Sequence, residues 1–321
     1  MSSVLALPSA ADVETARANI AGVARKTPLW RLDVDVPGTE IYLKLENLQP
    51  LGSFKIRAAL NAIKTADPEA LGAGVLAPSA GNFGQGLAWA ARNMGIPATI
   101  VAPDTSASTK IEALQALGAT VVRVPFDDWW RVLTTRRFDG AGGVFFHPVA
   151  ESAVIAGNAT IGAEILEDLP TVDAVIAPFG GGGLISGIGS VMRRAKPAVR
   201  MVAVESEAST PLAAALAAGR PTTVEYRRSF VDGIGSTTVL DEMWPLVRQM
   251  VDQATCVSLT EIADAIRLLA LKHRVIAEGA GAAAVAAALS GQAGTGVIVC
   301  VVSGGNINAS KLGPILNGET P

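Results

Sequence analysis

VDAVIAPFGGGGLISGIG, residues 172–189, places four consecutive glycines between a short apolar run and a segment of helical length. An apolar run before such a loop is typical of a buried strand in a parallel sheet. Glycines between a strand and a helix let backbone N–H groups converge on an anion, and the helix dipole adds partial positive charge there. Gly180, Gly181, Gly182 and Gly183 therefore predict a phosphate cradle in an α/β protein.

The residues of this loop narrow the kind of phosphate that it can hold. The loop contains no G-K-S/T, so it is not a Walker loop, and no register of its glycines fits G-x-G-x-x-G. Glu205 ends the next predicted strand, where a dinucleotide enzyme holds a ribose, and it keeps a nicotinamide-dependent oxidoreductase as an alternative. A single phosphate monoester fits the glycine run better.

Short apolar runs alternate with helical segments along the chain, which is the pattern of strand–helix–strand units. The predicted strands are residues 74–78, 98–102, 120–124, 172–177, 199–204 and 296–302, and the predicted helices are residues 86–95, 109–117, 152–168, 184–195, 259–275 and 279–290. Residues 218–236 are predicted to form a loop excursion. One α/β series before residue 150 and another after it favour two domains with a cleft between them.

The composition limits the classes of function. Of the 321 residues, 50% are hydrophobic and 17% are charged, the mean hydropathy is +0.38 and the net charge is −3. We therefore expect deep cores and a buried subunit interface, and we expect no nucleic-acid or membrane partner. No apolar run reaches the ~18 residues of a membrane-spanning helix, and the first residues lack the basic start of a signal peptide. These features predict a cytoplasmic protein.

Histidines and cysteines offer little chemistry. The two histidines, His147 and His273, have no partner at metal-ligand spacing, and a zinc site or a Ser-His-Asp triad is not expected. His147 precedes a proline in an apolar setting, which predicts a structural role. Cys256 and Cys300 lie in apolar, strand-like runs and are predicted to be buried free thiols.

Chemistry is instead expected at Lys55, which lies in QPLGSFKIRAALNA, residues 49–62. Lys55 stands between Phe54 and Ile56 at a predicted helix start that Ser53 can cap. Desolvation and the helix dipole both lower the pKa of a lysine there, and a neutral amine can form a Schiff base and later take a proton from a substrate carbon. A phosphate cradle together with such a lysine predicts pyridoxal 5′-phosphate (PLP) as the cofactor.

Five segments then resemble a known family, and in chain order they read KLENLQPLGSFKIRAALNAI, SAGNFGQGLAWAA, IAGNATIGAEILEDLP, FGGGGLISGI and VSGGNIN. Over about residues 25–310 the chain resembles the fold type II PLP enzymes, most of all the threonine/serine dehydratases and serine racemases. The resemblance implies the α/β fold of tryptophan synthase β, with two parallel-sheet domains and the active site in the cleft between them. Residues 1–47 and 148–321 would form the large PLP-binding domain, and residues 48–147 the small substrate-binding domain.

The resemblance also implies roles in holding the cofactor. Lys55 matches the lysine that forms the Schiff base, and Phe54 belongs to the same motif. Asn82 matches the asparagine that hydrogen-bonds the phenolic oxygen, and the loop from Gly180 to Leu184 matches the phosphate cradle. Ser303 matches the residue that faces the pyridine nitrogen. Because a serine cannot stabilise a protonated ring by charge, this position suits β-elimination better than transamination.

A second loop is implied to bind the substrate carboxylate through backbone N–H groups and a serine hydroxyl at a helix start. Its residues are Ser79, Ala80, Gly81, Asn82 and Phe83. Serine racemases carry an acid/base serine at the position of Ala80, so elimination is favoured over racemisation. Phe83 stands where the family usually has histidine, and Trp129 and Trp130 begin a helix that usually carries smaller or polar side chains. Together these aromatic residues suggest an aryl-serine substrate.

Two other departures concern parts of the family outside this pocket. Glu205 matches one ligand of the family's metal site, but Pro211 falls where an acidic ligand is expected, so no metal site is predicted. The chain shows no C-terminal extension, and the allosteric domain of biosynthetic threonine dehydratases is expected to be absent.

The sequence thus predicts a PLP-dependent ammonia-lyase, in the class of threonine/serine dehydratases, that acts as a homodimer. Its small-molecule substrate would be a β-hydroxy-α-amino acid, either threonine or serine or an aryl-serine such as phenylserine. A β-replacement synthase and a serine racemase on the same fold remain alternatives. A PLP-binding sensor without activity and the nicotinamide-dependent oxidoreductase are more distant ones.

Overall fold

The computed structural model describes residues 5–321, which form two β-sheets covered by helices. The strands are β1 (Leu29–Arg31), β2 (Thr39–Lys44), β3 (Val75–Ala77), β4 (Ala98–Pro103), β5 (Thr120–Val124), β6 (Val144–Phe145), β7 (Ala174–Pro178), β8 (Arg200–Ser206), β9 (Gln253–Val257) and β10 (Gly296–Val301). The helices are α1 (Ala10–Ile20), α2 (Lys55–Thr65), α3 (Pro68–Leu71), α4 (Asn82–Asn93), α5 (Ser108–Ala116), α6 (Phe126–Thr135), α7 (Ser152–Asp168), α8 (Gly183–Ala195), α9 (Pro211–Ala218), α10 (Trp244–Met250), α11 (Leu259–His273), α12 (Gly279–Leu289) and α13 (Ala309–Leu316).

The larger sheet has six strands in the order β1–β2–β10–β7–β8–β9, and the smaller sheet has four in the order β5–β4–β3–β6. Neighbouring strands are parallel, except that β1 is antiparallel to β2. We call the larger sheet with its helices the large lobe, and the smaller sheet with its helices the small lobe. The small lobe is inserted between β2 and β7 of the large lobe, and α2 packs against both α4 and α7 where the lobes meet.

The core of the large lobe lies on both faces of its sheet. β7 is buried over its whole length because α11 and α12 cover one face and α7 and α8 cover the other. Helix α12 consists almost entirely of alanine and glycine, and these small residues let it pack closely on the strands. None of the helices that the structure describes is long and apolar enough to cross a membrane.

The predicted alternation of strands and helices is confirmed, with differences at the boundaries. The helix predicted over residues 86–95 begins earlier, at Asn82, because its glycines serve close packing and do not interrupt it. A Cβ on Gly84 would lie 1.8 Å from the carbonyl oxygen of Ser79, and a Cβ on Gly86 would lie 3.1 Å from Cβ of Ala59 in α2. Both glycines therefore set how α4 meets its neighbours.

The cysteines differ in their surroundings. Cys300 is fully buried in β10, as predicted, and burial raises the pKa of its thiol. The prediction for Cys256 is wrong, because its side chain is exposed. Cys256 lies in β9, the strand at the edge of the larger sheet, and alternate residues there face outward.

Candidate active site

Lys55 is the first residue of α2 and is partly buried where the two lobes meet. Its Nζ donates a hydrogen bond to the carbonyl oxygen of Pro148 at 2.9 Å. The same atom lies 5.1 Å from the ring centre of Phe54 and 5.7 Å from that of Phe83. Desolvation by this burial lowers the pKa of Lys55 to about 8. The amine is therefore neutral far more often than that of an exposed lysine.

The start of α2 is fixed differently from the prediction. Ser53 does not cap the helix, and the residue before Lys55, Phe54, has a helical backbone and makes no side-chain cap. The N–H of Phe54 instead donates to the carbonyl oxygen of Ser303 at 3.0 Å, and Ser53 pairs with Gly304 in an isolated bridge. Because the segment after β10 holds the start of α2, Ser303 is brought beside the helix that carries Lys55.

His147 holds the turn after Pro148, whose carbonyl oxygen accepts the hydrogen bond from Lys55. Its ring is fully buried, and Nδ1 accepts hydrogen bonds from the N–H groups of Val149 at 3.0 Å and Ala150 at 2.7 Å. Burial lowers the pKa of His147 to about 3, and the charges of Arg136 and Lys55 act in the same direction. The imidazole is therefore neutral, which agrees with the predicted structural role.

The four glycines lie between β7 and α8, as predicted. Gly182 has φ +88°, and a Cβ there would lie 2.5 Å from Cγ2 of Val247, so only glycine fits. A Cβ on Gly181 would lie 2.7 Å from the side chain of Val149. Within residues 5–321, the N–H groups from Gly180 to Leu184 donate to no backbone acceptor. These free donors at a helix N-terminus fit a phosphate group.

The loop from Ser79 to Phe83 lies at the start of α4, in the small lobe. The hydroxyl of Ser79 accepts from the N–H of Gly84 at 3.3 Å, and the N–H groups of residues 80–83 donate to no backbone acceptor in the described part of the chain. Ala80 is partly exposed, whereas Phe83 is 1% exposed and packs in the core of the small lobe. The loop therefore offers a second anion site near Lys55.

Asn82 contacts two side chains that were not predicted as part of the site. Its Nδ2 donates to Oε1 of Glu278 at 2.9 Å, and its Oδ1 accepts from Nδ2 of Asn306 at 2.9 Å. Burial raises the pKa of Glu278 to about 7, and the charge of Asp232 adds to the effect. With these two bonds made, one N–H of Asn82 remains free to donate into the site. The sequence offered one signal for Glu278, which is an acidic residue directly before the alanine-rich α12.

The tryptophan pair is not beside Phe83. Trp129 packs with Leu76 and Val101, whereas Phe83 belongs to the cluster that contains Val75 and other residues on the opposite face of the small sheet. The Trp130 ring lies 6.3 Å from that of Trp129. Of the three aromatic residues that suggested an aryl-serine substrate, only Phe83 therefore lies beside Lys55.

Glu205 has partners within the protein. Its carboxylate accepts hydrogen bonds from the N–H groups of Leu212 at 2.7 Å and Ala213 at 2.9 Å, in the first turn of α9. Burial raises the pKa of Glu205 to about 7. Pro211 begins this helix and offers no ligand atom in its side chain. The residue that matches a metal ligand of the family thus stabilises the start of α9.

The family described as "Pyridoxal-phosphate dependent enzyme" matches residues 20–304. The chain belongs to this family. It is 42% identical over 311 residues to the L-threonine ammonia-lyase of Thermotoga maritima, and the alignment covers 95% of this chain and 77% of that protein. It is 36% identical over 325 residues to the serine racemase of Mus musculus, covering 98% and 96% of the two chains. The structure of maize serine racemase matches with a TM-score of 0.87 and 30% identity, covering 97% of this chain and 98% of that one.

Within the family, the chain is a fold type II enzyme of the threonine dehydratase and serine racemase group. The predicted family, α/β fold and cofactor are thereby confirmed. The predicted general class, a PLP-dependent lyase of the threonine/serine dehydratase type, is confirmed as well. The nicotinamide-dependent alternative drawn from the glycine run and Glu205 is set aside.

Proposed function

We propose that this enzyme removes water from a β-hydroxy-α-amino acid of the threonine or serine type and releases a 2-oxo acid and ammonia. The position of Lys55 carries the proposal. Its Nζ contacts Pro148, and the adjacent Val149 packs against Gly181 of the glycine loop. The ring centre of Phe83, in the first turn of α4, lies 5.7 Å from the same amine. An amine with a lowered pKa between two anion sites suits a phosphate-bearing cofactor and a substrate carboxylate.

The residues present fit PLP, which when bound supplies an electron sink for the carbon next to the amino group. In our proposal Lys55 holds the cofactor covalently, and Asn82 donates to its phenolic oxygen. The N–H groups from Gly180 to Leu184 hold its phosphate, and Ser303 offers a neutral hydroxyl to the ring nitrogen. Phe54 adjoins the lysine on the same turn.

The chain's own residues would then act as follows. The N–H groups and the hydroxyl of the loop from Ser79 to Phe83 orient the substrate carboxylate. When the amine of the substrate displaces it from the covalent link, Nζ of Lys55 would become a neutral amine and would take the proton from Cα. The Cβ–O bond would then break, and the proton carried by Nζ would leave with the hydroxyl as water. The released enamine hydrolyses to a 2-oxo acid and ammonia. Ala80 has no exchangeable proton, so its side chain cannot return a proton to the opposite face of Cα. Elimination is therefore favoured over racemisation.

The role of Lys55 is tested by trapping with borohydride. The cofactor should become attached to Lys55 in the parent protein, and Lys55→Ala should lose both the visible absorbance of the bound cofactor and turnover. Lys64→Ala, nine residues further along α2, is the matched control and should behave like the parent. Attachment at Lys44 or Lys64 would contradict the assignment.

Product analysis separates the proposed reaction from its alternatives. Threonine and serine should yield 2-oxo acid and ammonia without any added nucleophile, whereas a β-replacement synthase needs one. A racemase would produce the D-amino acid faster than the oxo acid, and a PLP-binding sensor would bind cofactor but release no product.

An aryl-serine is a second candidate substrate, and Phe83 favours it because its ring lies beside Lys55 where a polar ring is usual in the family. An aromatic contact contributes about 0.5–1.5 kcal/mol, up to roughly tenfold in kcat/KM. If a phenyl group docks there, the parent should prefer phenylserine to threonine and Phe83→His should reduce that preference. A preference for threonine in the parent would leave Phe83 a core residue.

We also propose that the protein is a cytoplasmic homodimer, with residues 1–47 and 148–321 as one domain and residues 48–147 as the other. Trp30 and Leu271 are large apolar side chains that are 55% and 52% exposed, and a subunit interface would cover side chains of this kind. Light scattering should give twice the mass of the chain. A monomer at micromolar concentrations would contradict the dimer.

A further inference from the structure

Asn158 lies in the middle of α7, and its amide is buried without a partner. Its side chain is 0% exposed, and neither Nδ2 nor Oδ1 has a hydrogen-bond partner anywhere in residues 5–321. Buried amides almost always have partners, because leaving their polar atoms unpaired destabilises the fold. A buried, unpaired amide therefore points to a polar group that binds beside it.

The amide of Asn158 faces the N-terminus of α8. Its Nδ2 lies 3.7 Å from the position that a Cβ of Gly183 would occupy. A Cβ on Gly187, one turn further along, would lie 2.9 Å from Cβ of Asn158. Two of the α8 residues that approach Asn158 are therefore glycines, and a larger residue at Gly187 would displace the side chain of Asn158.

The start of α8 carries no cationic side chain. Gly182 is its N-cap and provides no side-chain bond, and residues 178–192 contain neither lysine nor arginine. A phosphate at this position would therefore be held by uncharged donors, backbone N–H groups above all, and by the helix dipole. One more N–H donor next to the loop would strengthen the site without adding charge.

We propose that Asn158 belongs to the phosphate site and that its Nδ2 donates a hydrogen bond to the phosphate of PLP. The inference rests on the proposed role of the glycine loop as the phosphate cradle. It adds a residue from α7 to a site otherwise built from the β7–α8 loop, and it accounts for the buried amide.

The test compares two aldehydes that differ only in the phosphate. Apoenzyme of the parent and of Asn158→Leu is titrated with PLP and with pyridoxal, and binding is followed by visible absorbance. Loss of a hydrogen bond to a charged group should raise Kd for PLP about 10- to 100-fold and leave Kd for pyridoxal within about twofold. The melting temperature of the Asn158→Leu apoenzyme should not fall, because leucine has a similar shape and no polar atom to leave unpaired.

Two further variants guard against a purely structural effect. Ile155→Val removes one methylene from the same contact between α7 and α8, since the carbonyl oxygen of Ile155 lies 2.7 Å from a Cβ on Gly187. It should lower the melting temperature and leave the ratio of the two Kd values unchanged. Asn158→Ala shortens the side chain and should change the ratio of the two Kd values in the same direction as Asn158→Leu does. If one of these variants folds poorly, the other still measures the ratio.

The outcomes separate this inference from the proposed function. A parent that binds PLP and pyridoxal equally well would overturn the phosphate cradle itself. A parent that prefers PLP, with the same preference in both Asn158 variants, would overturn only the role of Asn158. Equal weakening of both ligands would also overturn it, because the effect would then not act through the phosphate.

Discussion

Replacing Arg57 by methionine should lower the free energy of unfolding by about 3–5 kcal/mol, the range for breaking a buried ion pair. Arg57 is 0% exposed and lies two residues after Lys55 in α2. It donates to Glu46 at 2.8 and 2.9 Å and to Glu164 at 2.6 and 2.8 Å. Lys44 also contacts Glu164, at 2.6 Å, so two cations and two carboxylates form one buried network.

The magnitude follows from what the substitution leaves behind. Burial raises the pKa of Glu46, but the charge and hydrogen bonds of Arg57, followed by the hydrogen bond from Thr27 and the charge of Lys44, lower it overall. Without Arg57 the carboxylate of Glu46 stays buried, and it must either remain charged at a high cost or bind a proton. Its pKa in the folded variant should therefore lie above that in the unfolded chain, and the destabilisation should be larger at pH 8 than at pH 5.

Urea unfolding of the apoprotein, followed by circular dichroism at both pH values, measures the effect. The double variant Arg57→Met/Glu46→Gln should cost less than the sum of the two single variants, because no charged carboxylate is left unpaired. Arg57→Lys should also destabilise the protein, because lysine cannot make both bidentate contacts. It should cost less than Arg57→Met, because it keeps the positive charge. A loss below about 1 kcal/mol for Arg57→Met, the same at both pH values, would refute the reasoning.

The remaining predictions concern the ring nitrogen, the substrate loop and pH. Ser303→Asp should shift the absorbance of the bound cofactor and increase transamination; an unchanged spectrum and product ratio would place Ser303 away from the ring. Gly84→Ala should abolish turnover in steady-state assays, because its Cβ would lie 1.8 Å from the carbonyl oxygen of Ser79, and near-normal kcat would contradict this contact. Burial raises the pKa of Glu278 from 4.5 to about 7. Between pH 4.5 and pH 7 the folded state therefore binds a proton that the unfolded state has released. Unfolding of the apoprotein by urea should therefore show a loss of up to about 3 kcal/mol as pH rises through this window, and Glu278→Gln should remove that part of the slope.

The parts of the site that depend on consecutive residues could be predicted from the sequence. A strand, a glycine run and a helix fix the backbone geometry of a phosphate cradle locally, so Gly182 needs no distant residue to be recognised. Lys55 was identified in the same way, since its apolar neighbours and its place in the first turn are both local features.

The parts that depend on distant segments could not be predicted. Glu278 and Asn306 lie 196 and 224 residues after Asn82, and only the tertiary fold brings them into contact with it. Ser53 is a favourable cap residue by type, but pairing of its backbone with Gly304 takes precedence. Nor does the sequence state on which face of the small sheet α6 packs, and this decides the surroundings of Trp129.

The position of β10 has a consequence for folding during synthesis. The strands of the small lobe lie together in residues 75–145, so this lobe can form its sheet while the rest of the chain is still being made. β10 is the last strand in chain order, yet it lies between β2 and β7. The edge of β2 that pairs with β10 therefore stays unpaired until residues 296–301 have been synthesised. A nascent chain that stops before β10 would carry a folded small lobe but no finished cofactor pocket. With the proposed site, PLP would bind only after β10 has paired with β2 and β7, and it would then stabilise the folded state.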